Sequence, residues 1–146
     1  MPAVIKITKK PWGEERLFAL TKKYAGKILI VRKGHRLSLQ YHDKKEETLY
    51  LDSGMLKLMI GPDKEELSVK ILTSGMTFHV SPKTIHRMEA IDNCRLIEVS
   101  TPELKDVIRI EDDYNRADKK KNSNNQYLNP KKHQITNKAK SKKKTR

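Results

Sequence analysis

Gly34-His-Arg-Leu-Ser-Leu-Gln40-Tyr-His42-Asp-Lys-Lys-Glu-Glu47-Thr-Leu-Tyr-Leu-Asp-Ser-Gly54 places an amide, an imidazole and a carboxylate within eight positions, Gln40 to Glu47, between two bounding glycines. Side chains two apart on a strand point to one face, so Gln40 and His42 project together with Arg36 and Ser38. Leu37, Leu39 and Tyr41 then take the other face. A turn through residues 43–45 lets Glu47 open a second strand and swing back beside the first pair. Donors that converge in this way need strands packed close together, and the surrounding sequence supplies them.

Short alternating runs rich in Ile, Val, Leu and Thr cover 12–20, 27–32, 35–42, 48–51, 56–60, 67–72, 77–80, 85–90 and 95–100. Gly26, Gly34, Gly54, Gly61-Pro62-Asp63, Gly75 and Pro82 punctuate them. Strands at this spacing between turn residues predict an all-β antiparallel sandwich or barrel. No stretch before residue 102 sustains a 3.6-residue period, and a brief helical turn after Pro102, capped by Thr101, is the one helical expectation. Asp52-Ser-Gly54 reads as a hairpin that needs a positive φ, and Gly61-Pro-Asp-Lys opens the next turn. Trp12 and Tyr50 are expected to pack in the barrel, and Cys94 to act as a small buried hydrophobe.

The net charge of +14 over 146 residues is unevenly spread. Residues 116–146 hold 12 Lys or Arg against one acid, Asp118, while residues 1–115 carry 20 basic and 17 acidic groups. The first part is one β-domain in expectation. The Lys/Asn-rich second part is too poor in apolar residues to fold alone and is expected to be a disordered basic tail able to contact a polyanion. A single cysteine excludes an intramolecular disulfide and a thiolate metal cluster. The first ten residues lack the apolar core of a signal peptide, and no apolar run reaches the roughly 18 residues of a membrane span, so a cytoplasmic location is the expectation.

A further donor appears in Gly75-Met-Thr-Phe-His-Val-Ser-Pro82-Lys-Thr-Ile-His86-Arg-Met-Glu-Ala90, with His86 opening a strand after a Pro-containing turn. Two imidazoles and a carboxylate, with an amide oxygen as fourth ligand, suit Zn, Mn, Fe, Co or Ni alike. Taken singly, the same residues also read as ordinary polar groups on a solvated strand face.

The spacing Gly34, Gln40, His42, Glu47, Gly54 resembles the first motif of the cupin superfamily, with Gln where that motif has its first His. Gly75, Ser81, Lys83, His86 and Ala90 fall on the second motif, keeping its Gly and His and losing its first Pro, second Gly and Asn. Within cupins, Lys10-Pro-Trp-Gly13, Leu37-Ser-Leu-Gln-Tyr-His42, Thr84-Ile-His-Arg-Met-Glu-Ala90 and Asp106-Val-Ile-Arg-Ile-Glu-Asp-Asp-Tyr-Asn-Arg116 are similar to the cupin domain of type II mannose-6-phosphate isomerases. In those proteins the domain is often fused behind a mannose-1-phosphate guanylyltransferase. The resemblance implies a jelly-roll barrel, a divalent metal held by Gln40, His42, Glu47 and His86, and a homodimer formed through edge strands.

It also implies interconversion of mannose 6-phosphate and fructose 6-phosphate through a metal-stabilised enediolate. A phosphate needs cationic donors, for which Arg36, Arg87 and Arg109 are the candidates. The catalytic base is unassigned, with Glu89 and Glu98 candidates by their proximity in sequence to His86. Two alternatives stay open: a non-catalytic cupin that binds metal and sugar, and an iron-dependent oxygenase on the same His42/Glu47/His86 set.

Overall fold

A computed structural model describes residues 5–117 together with strand residues 120–121 and 127–128. The strands in chain order are β1 (Lys6–Lys10), β2 (Gly13–Leu20), β3 (Ala25–Val31), β4 (Leu39–Tyr41), β5 (Glu47–Ser53), β6 (Met55–Gly61), β7 (Ser68–Thr73), β8 (Thr77–Val80), β9 (Ile85–Ala90), β10 (Cys94–Ser100) and β11 (Ile108–Glu111). β12 (Lys120–Lys121) and β13 (Tyr127–Leu128) pair only with each other; the rest of the basic tail expected to be disordered lies outside the described residues.

Two antiparallel sheets form the sandwich, one ordered β1-β2-β3-β10-β5-β8 and the other β11-β4-β9-β6-β7. Their inner faces follow from two-residue alternation. In β10, Cys94, Leu96, Glu98 and Ser100 are buried while Arg95 and Val99 are exposed. β3 presents Ala25, Lys27, Leu29 and Val31 inward in the same phase. Leu29, Val31, Leu49, Leu51, Leu56, Leu58, Val80, Met88 and Leu96 join Trp12 in one apolar cluster. Each fully buried Leu or Val contributes about 1.5–3 kcal/mol relative to exposure, so this half of the interior carries the stability. The other half, around Glu47, Glu98, Lys45 and Lys27, is polar, and it holds the candidate site.

The structure departs from the sequence reading at several places. Asp52-Ser-Gly54 is not a hairpin, because β5 and β6 belong to different sheets and Gly54 carries the chain from one to the other. Its φ is 103°, as the composition of the turn required, and a Cβ there would stand 2.2 Å from the Asn93 carbonyl oxygen. Gly61, by contrast, does lead into a hairpin, since β6 and β7 pair directly. Residues 102–107 form turns and not a helix, with Leu104 N–H donating to Pro102 O at 2.8 Å and Asp106 N–H to Glu103 O at 3.2 Å. Among the described residues no helix is long and apolar enough to cross a membrane. β1 and β11 escaped the pattern because one is largely exposed and the other only four residues long. Tyr50 points outward at 39% exposure, whereas Trp12 packs inside at 3%.

After β11 the chain is closed by an ion pair. The Arg116 Nε and Nη2 donate to Asp112 Oδ2 and Oδ1 at 3.0 and 3.1 Å, and the Arg116 backbone N–H adds a bond of 2.6 Å to Oδ2. Burial alone would push the Asp112 carboxyl up, but these three donors hold it below its ordinary value of 3.8. A carboxyl depressed in the folded state stabilises the fold above its unfolded pKa and loses that contribution as pH falls through the folded value. The deficit in thermal midpoint of Asp112→Asn against wild type should therefore be full near neutral pH and shrink as pH drops below about 4. Gly54→Ala, measured the same way, should cost about 1–3 kcal/mol at every pH, since strain and the Asn93 clash do not titrate.

Candidate metal centre

His42 directly follows β4, Glu47 is the first residue of β5, and His86 is the second residue of β9. Gln40 of β4 stands opposite His86 in the β4/β9 pairing, which brings the two motifs into one row. All three candidate ligands are buried, with His42 and Glu47 at 2% exposure and His86 at 1%. Glu47 Oε1 lies 3.3 Å from His42 Nε2 and 3.4 Å from His86 Nε2, and one ligand atom from each residue falls within 4.8 Å of the others. The two rings are 5.2 Å apart between centroids and tilted by 51°.

The tautomers follow from the partners on the far side of each ring. His42 Nδ1 is 2.6 Å from the Asp106 carbonyl oxygen, and His86 Nδ1 is 3.0 Å from the Thr84 carbonyl oxygen. A carbonyl only accepts, so each Nδ1 carries the hydrogen and each neutral ring turns the lone pair of Nε2 toward Glu47. Three acceptors thus converge without a donor between them, and His86 Nε2 is buried with no hydrogen-bond partner. A divalent cation satisfies all three at once, and two imidazole nitrogens with a carboxylate oxygen are a fitting donor set for Zn, Mn, Fe, Co or Ni. Gln40 lines the same cavity; its Oε1 accepts from Ser38 Oγ at 2.6 Å and keeps a second lone pair to offer as the fourth ligand expected from the sequence.

Asp106 is the residue that sequence reasoning left without a role. Its carboxylate accepts the backbone N–H groups of Asp43, Lys44 and Lys45 at 3.0, 2.7 and 2.9 Å, while its carbonyl receives the His42 Nδ1–H. One residue therefore fixes the loop between His42 and Glu47 and the orientation of the first ring. Its side chain had been visible only as part of the closing signature that begins at Asp106.

Two further buried groups flank Glu47. Lys45 Nζ sits 3.0 Å from Glu47 Oε2, beside it but off the direction of a hydrogen bond, and 3.2 Å from Glu98 Oε2. Burial pushes the Glu47 carboxyl up; protons on the two Nε2 atoms, or a cation in their place, together with the Lys45 ammonium overwhelm it and hold Glu47 far below the usual carboxylate range. Glu98 goes the other way: burial and the neighbouring Glu47 charge raise it to about 7 against the pull of Lys45 and Lys27. Burial works against the Lys45 charge, but Glu98 and Glu47 outweigh it and raise the ammonium to about 12.

These groups line a cavity of ≈ 670 Å³, solvent at its mouth included, which also receives Lys10, Trp12, Glu15, Lys27, Arg109 and Arg116. Of the three arginines singled out from sequence, Arg109 lines it. Arg36 and Arg87 do not: Arg36 Nε and Nη2 bind Asp113 at 2.6 and 3.0 Å, and Arg87 is spent on Leu37 O at 2.9 Å and Asp113 at 3.3 Å. Arg36 was placed with the ligands by strand parity, but regular β4 begins only at Leu39, so parity does not extend back to it. Of the two carboxyls, Glu98 faces the cavity and Glu89 lies 3.8 Å from Lys57 outside it. Asp106→Ala keeps the carbonyl that accepts from His42 but frees the loop between the two ligands, and should weaken metal affinity about tenfold, the lower end of what loss of outer support costs, read by competition titration against a chromogenic chelator.

Among curated proteins none is similar enough in sequence to count as a match. Solved structures share the architecture. KdgF from Halomonas sp. superposes with a TM-score of 0.58 at 16% identity, over 66% of this chain and 87% of that one. Oxalate decarboxylase from Bacillus subtilis gives 0.65 at 14% identity, over 73% of this chain and 30% of that one. The capsular polysaccharide assembling protein CapF from Staphylococcus aureus gives 0.63 at 14%, over 74% and 34%. At such identities the likeness is one of fold, and the chain spans about a third of the length of the latter two proteins. The family profile described as mannose-6-phosphate isomerase C-terminal matches residues 3–118, and this all-β chain, a cupin in fold, belongs to that family.

Proposed function

We propose that the chain is a divalent-metal-dependent isomerase that interconverts mannose 6-phosphate and fructose 6-phosphate. The observation that carries this reading is the buried convergence of His42 Nε2, His86 Nε2 and Glu47 Oε1 at a cavity that also holds a carboxyl outside the ligand set, Glu98. Moving a proton between the first two carbons of the sugar needs both stabilisation of a developing oxyanion and a group to carry the proton. A divalent cation in the site supplies the first as a Lewis acid on the sugar oxygens.

The protein supplies the rest. Glu47, His42, His86 and Gln40 would hold the cation, with the ring orientations set by the carbonyls of Asp106 and Thr84. Glu98, gripped by Lys45 at 3.2 Å and facing the cavity, is our assignment for the proton carrier. The match to the isomerase family supports the choice of substrate.

Metal analysis of the purified protein followed by a coupled assay from mannose 6-phosphate to fructose 6-phosphate tests the proposal. Wild type should hold a divalent metal and turn over. His42→Ala should lose both. Glu98→Gln should keep the metal and lose about 10²–10⁴ in kcat, the usual reach of a general acid–base group. Retained metal with no turnover in either direction would replace this reading by a metal-binding module without catalysis.

A further inference from the structure

β5 has two faces, and the metal centre uses only one of them. Glu47 opens the strand pointing inward, so Thr48 points to the outer surface of the six-stranded sheet. Directly opposed residues project to the same face. The register therefore sets Gly26 beside Val99, Val99 beside Thr48, and Thr48 beside His79, in one row across β3, β10, β5 and β8. Glu46, two residues before Thr48, adds a carboxylate next to the end of that row.

Thr48 Oγ1 lies 2.9 Å from His79 Nδ1, and His79 Nε2 lies 3.1 Å from Glu46 Oε1. A carboxylate only accepts, so the hydrogen of the neutral ring belongs on Nε2, and Nδ1 turns its lone pair to the Thr48 O–H. A hydroxyl held against a base, with the base held against a carboxylate, is the arrangement that activates a nucleophile. The carboxylate is fixed from behind, since the Glu46 N–H donates to Thr101 Oγ1 and the Thr101 N–H to Glu46 O, each at 3.0 Å. Thr48, His79 and Glu46 line a shallow groove together with Val99 and with Lys23 from the turn between β2 and β3. Val99 is an exposed apolar side chain next to the hydroxyl, and Phe18 continues that surface by lying over Gly26, where a Cβ would stand 2.6 Å from its ring.

We propose that Thr48, His79 and Glu46 form a second catalytic site, on the outer face of the sheet, that hydrolyses esters of small acyl groups. Thr48 Oγ1 attacks the carbonyl carbon while its proton passes to His79 Nδ1. The tetrahedral adduct collapses, the bond from the acyl carbon to the alcohol oxygen breaks, and the leaving alcohol takes the proton from Nδ1. Water then attacks the acyl-threonine ester and gives a proton to the same nitrogen, which returns it to Oγ1 as the carboxylic acid departs. Glu46 positions the ring and faces the imidazolium that forms twice in the cycle. Lys23 brings positive charge to the groove in which the oxyanion develops. Val99 supplies apolar contact for the acyl group. None of these side chains takes part in the chemistry proposed for the metal centre, and the site does not depend on that reading.

The test uses p-nitrophenyl acetate with the full-length protein, with and without a chelator. Release of p-nitrophenolate is followed by absorbance, and the protein is then digested and its acetylated residues located by mass spectrometry. Wild type should release p-nitrophenolate at a saturable rate in both conditions and carry the acetyl group on Thr48. Thr48→Val keeps the branched shape without the hydroxyl, and should lose the acetyl group and about a hundredfold in rate at an unchanged thermal midpoint. His79→Gln should lose about as much. Glu46→Gln should lower kcat about tenfold and leave KM in place, because the carboxylate stands in solvent and acts only through the ring.

A Thr48→Val protein that hydrolyses the ester as fast as wild type overturns the site. So does acetyl found only on lysines, which is the background of any basic surface. A rate that falls in His79→Gln but not in Thr48→Val would mean that the imidazole attacks by itself, and would reject Thr48 as the nucleophile. A rate that disappears with chelator would assign the reaction to the metal centre and reject the outer face. Turnover of sugar phosphates is read separately, so ester hydrolysis at Thr48 and isomerisation at the metal centre stand or fall independently.

Discussion

A buried carboxylate facing two imidazole lone pairs is a repulsive arrangement that a divalent cation between them would resolve. Glu47, His42 and His86 are each almost fully covered, and the backbone carbonyls of Asp106 and Thr84 leave neither ring free to turn its N–H toward the carboxylate. Burying a charge without a partner is costly, and the interior around Glu47 is arranged so that each charge meets an opposite one. Lys45 joins Glu47 to Glu98, and Glu15 takes Lys27 across the same cavity. The polar half of the sandwich surrounds this centre, and the apolar half, from Leu29 to Leu96, packs beside it.

The arginines around the closing stretch differ in where they stand, although Arg116, like Arg36 and Arg87, is paired with a carboxylate of it. Arg36 and Arg87 are adjacent in space to the 111–113 segment and are consumed there as fasteners. Arg109 and Arg116 sit on either side of that same segment but face the cavity. A closing stretch of alternating acids and arginines thus does two things at once, locking the end of the domain onto β4 and β9 and setting positive charge at the rim of the site.

Local pattern in the chain carries much of this arrangement, and long-range contacts carry the rest. Alternation in 85–90 and 95–100 identifies β9 and β10, and the phase of Gln40, His42 and His86 places donors on one inner surface. The same parity failed for Arg36: it bridges Glu89 while Gln40 pairs with His86, so four residues on one side oppose three on the other and the phase slips between them. It misjudged Gly54, because a turn with hairpin chemistry is indistinguishable in sequence from a corner that passes between sheets. Asp106 and Lys45 were illegible for another reason. A carboxylate that staples a loop 61 to 63 residues away, and a lysine drawn inside by two distant glutamates, have no local pattern. Glu98 was the intermediate case: its phase with Cys94 and Leu96 marks it as inward, though nothing local says what it meets there.

The ligands are also divided between the layers. Glu47 belongs to the six-stranded sheet, while His86, and β4 leading to His42, belong to the five-stranded one. An ion held by all three is a clasp between two leaves that would otherwise meet here across a wet, charged seam. Its loading is then coupled to cohesion as well as to chemistry: free metal at about a hundred times its dissociation constant would add about 2.7 kcal/mol to the folded state. On that arithmetic metal in the site would raise the cohesion of the two leaves as well as fill the centre.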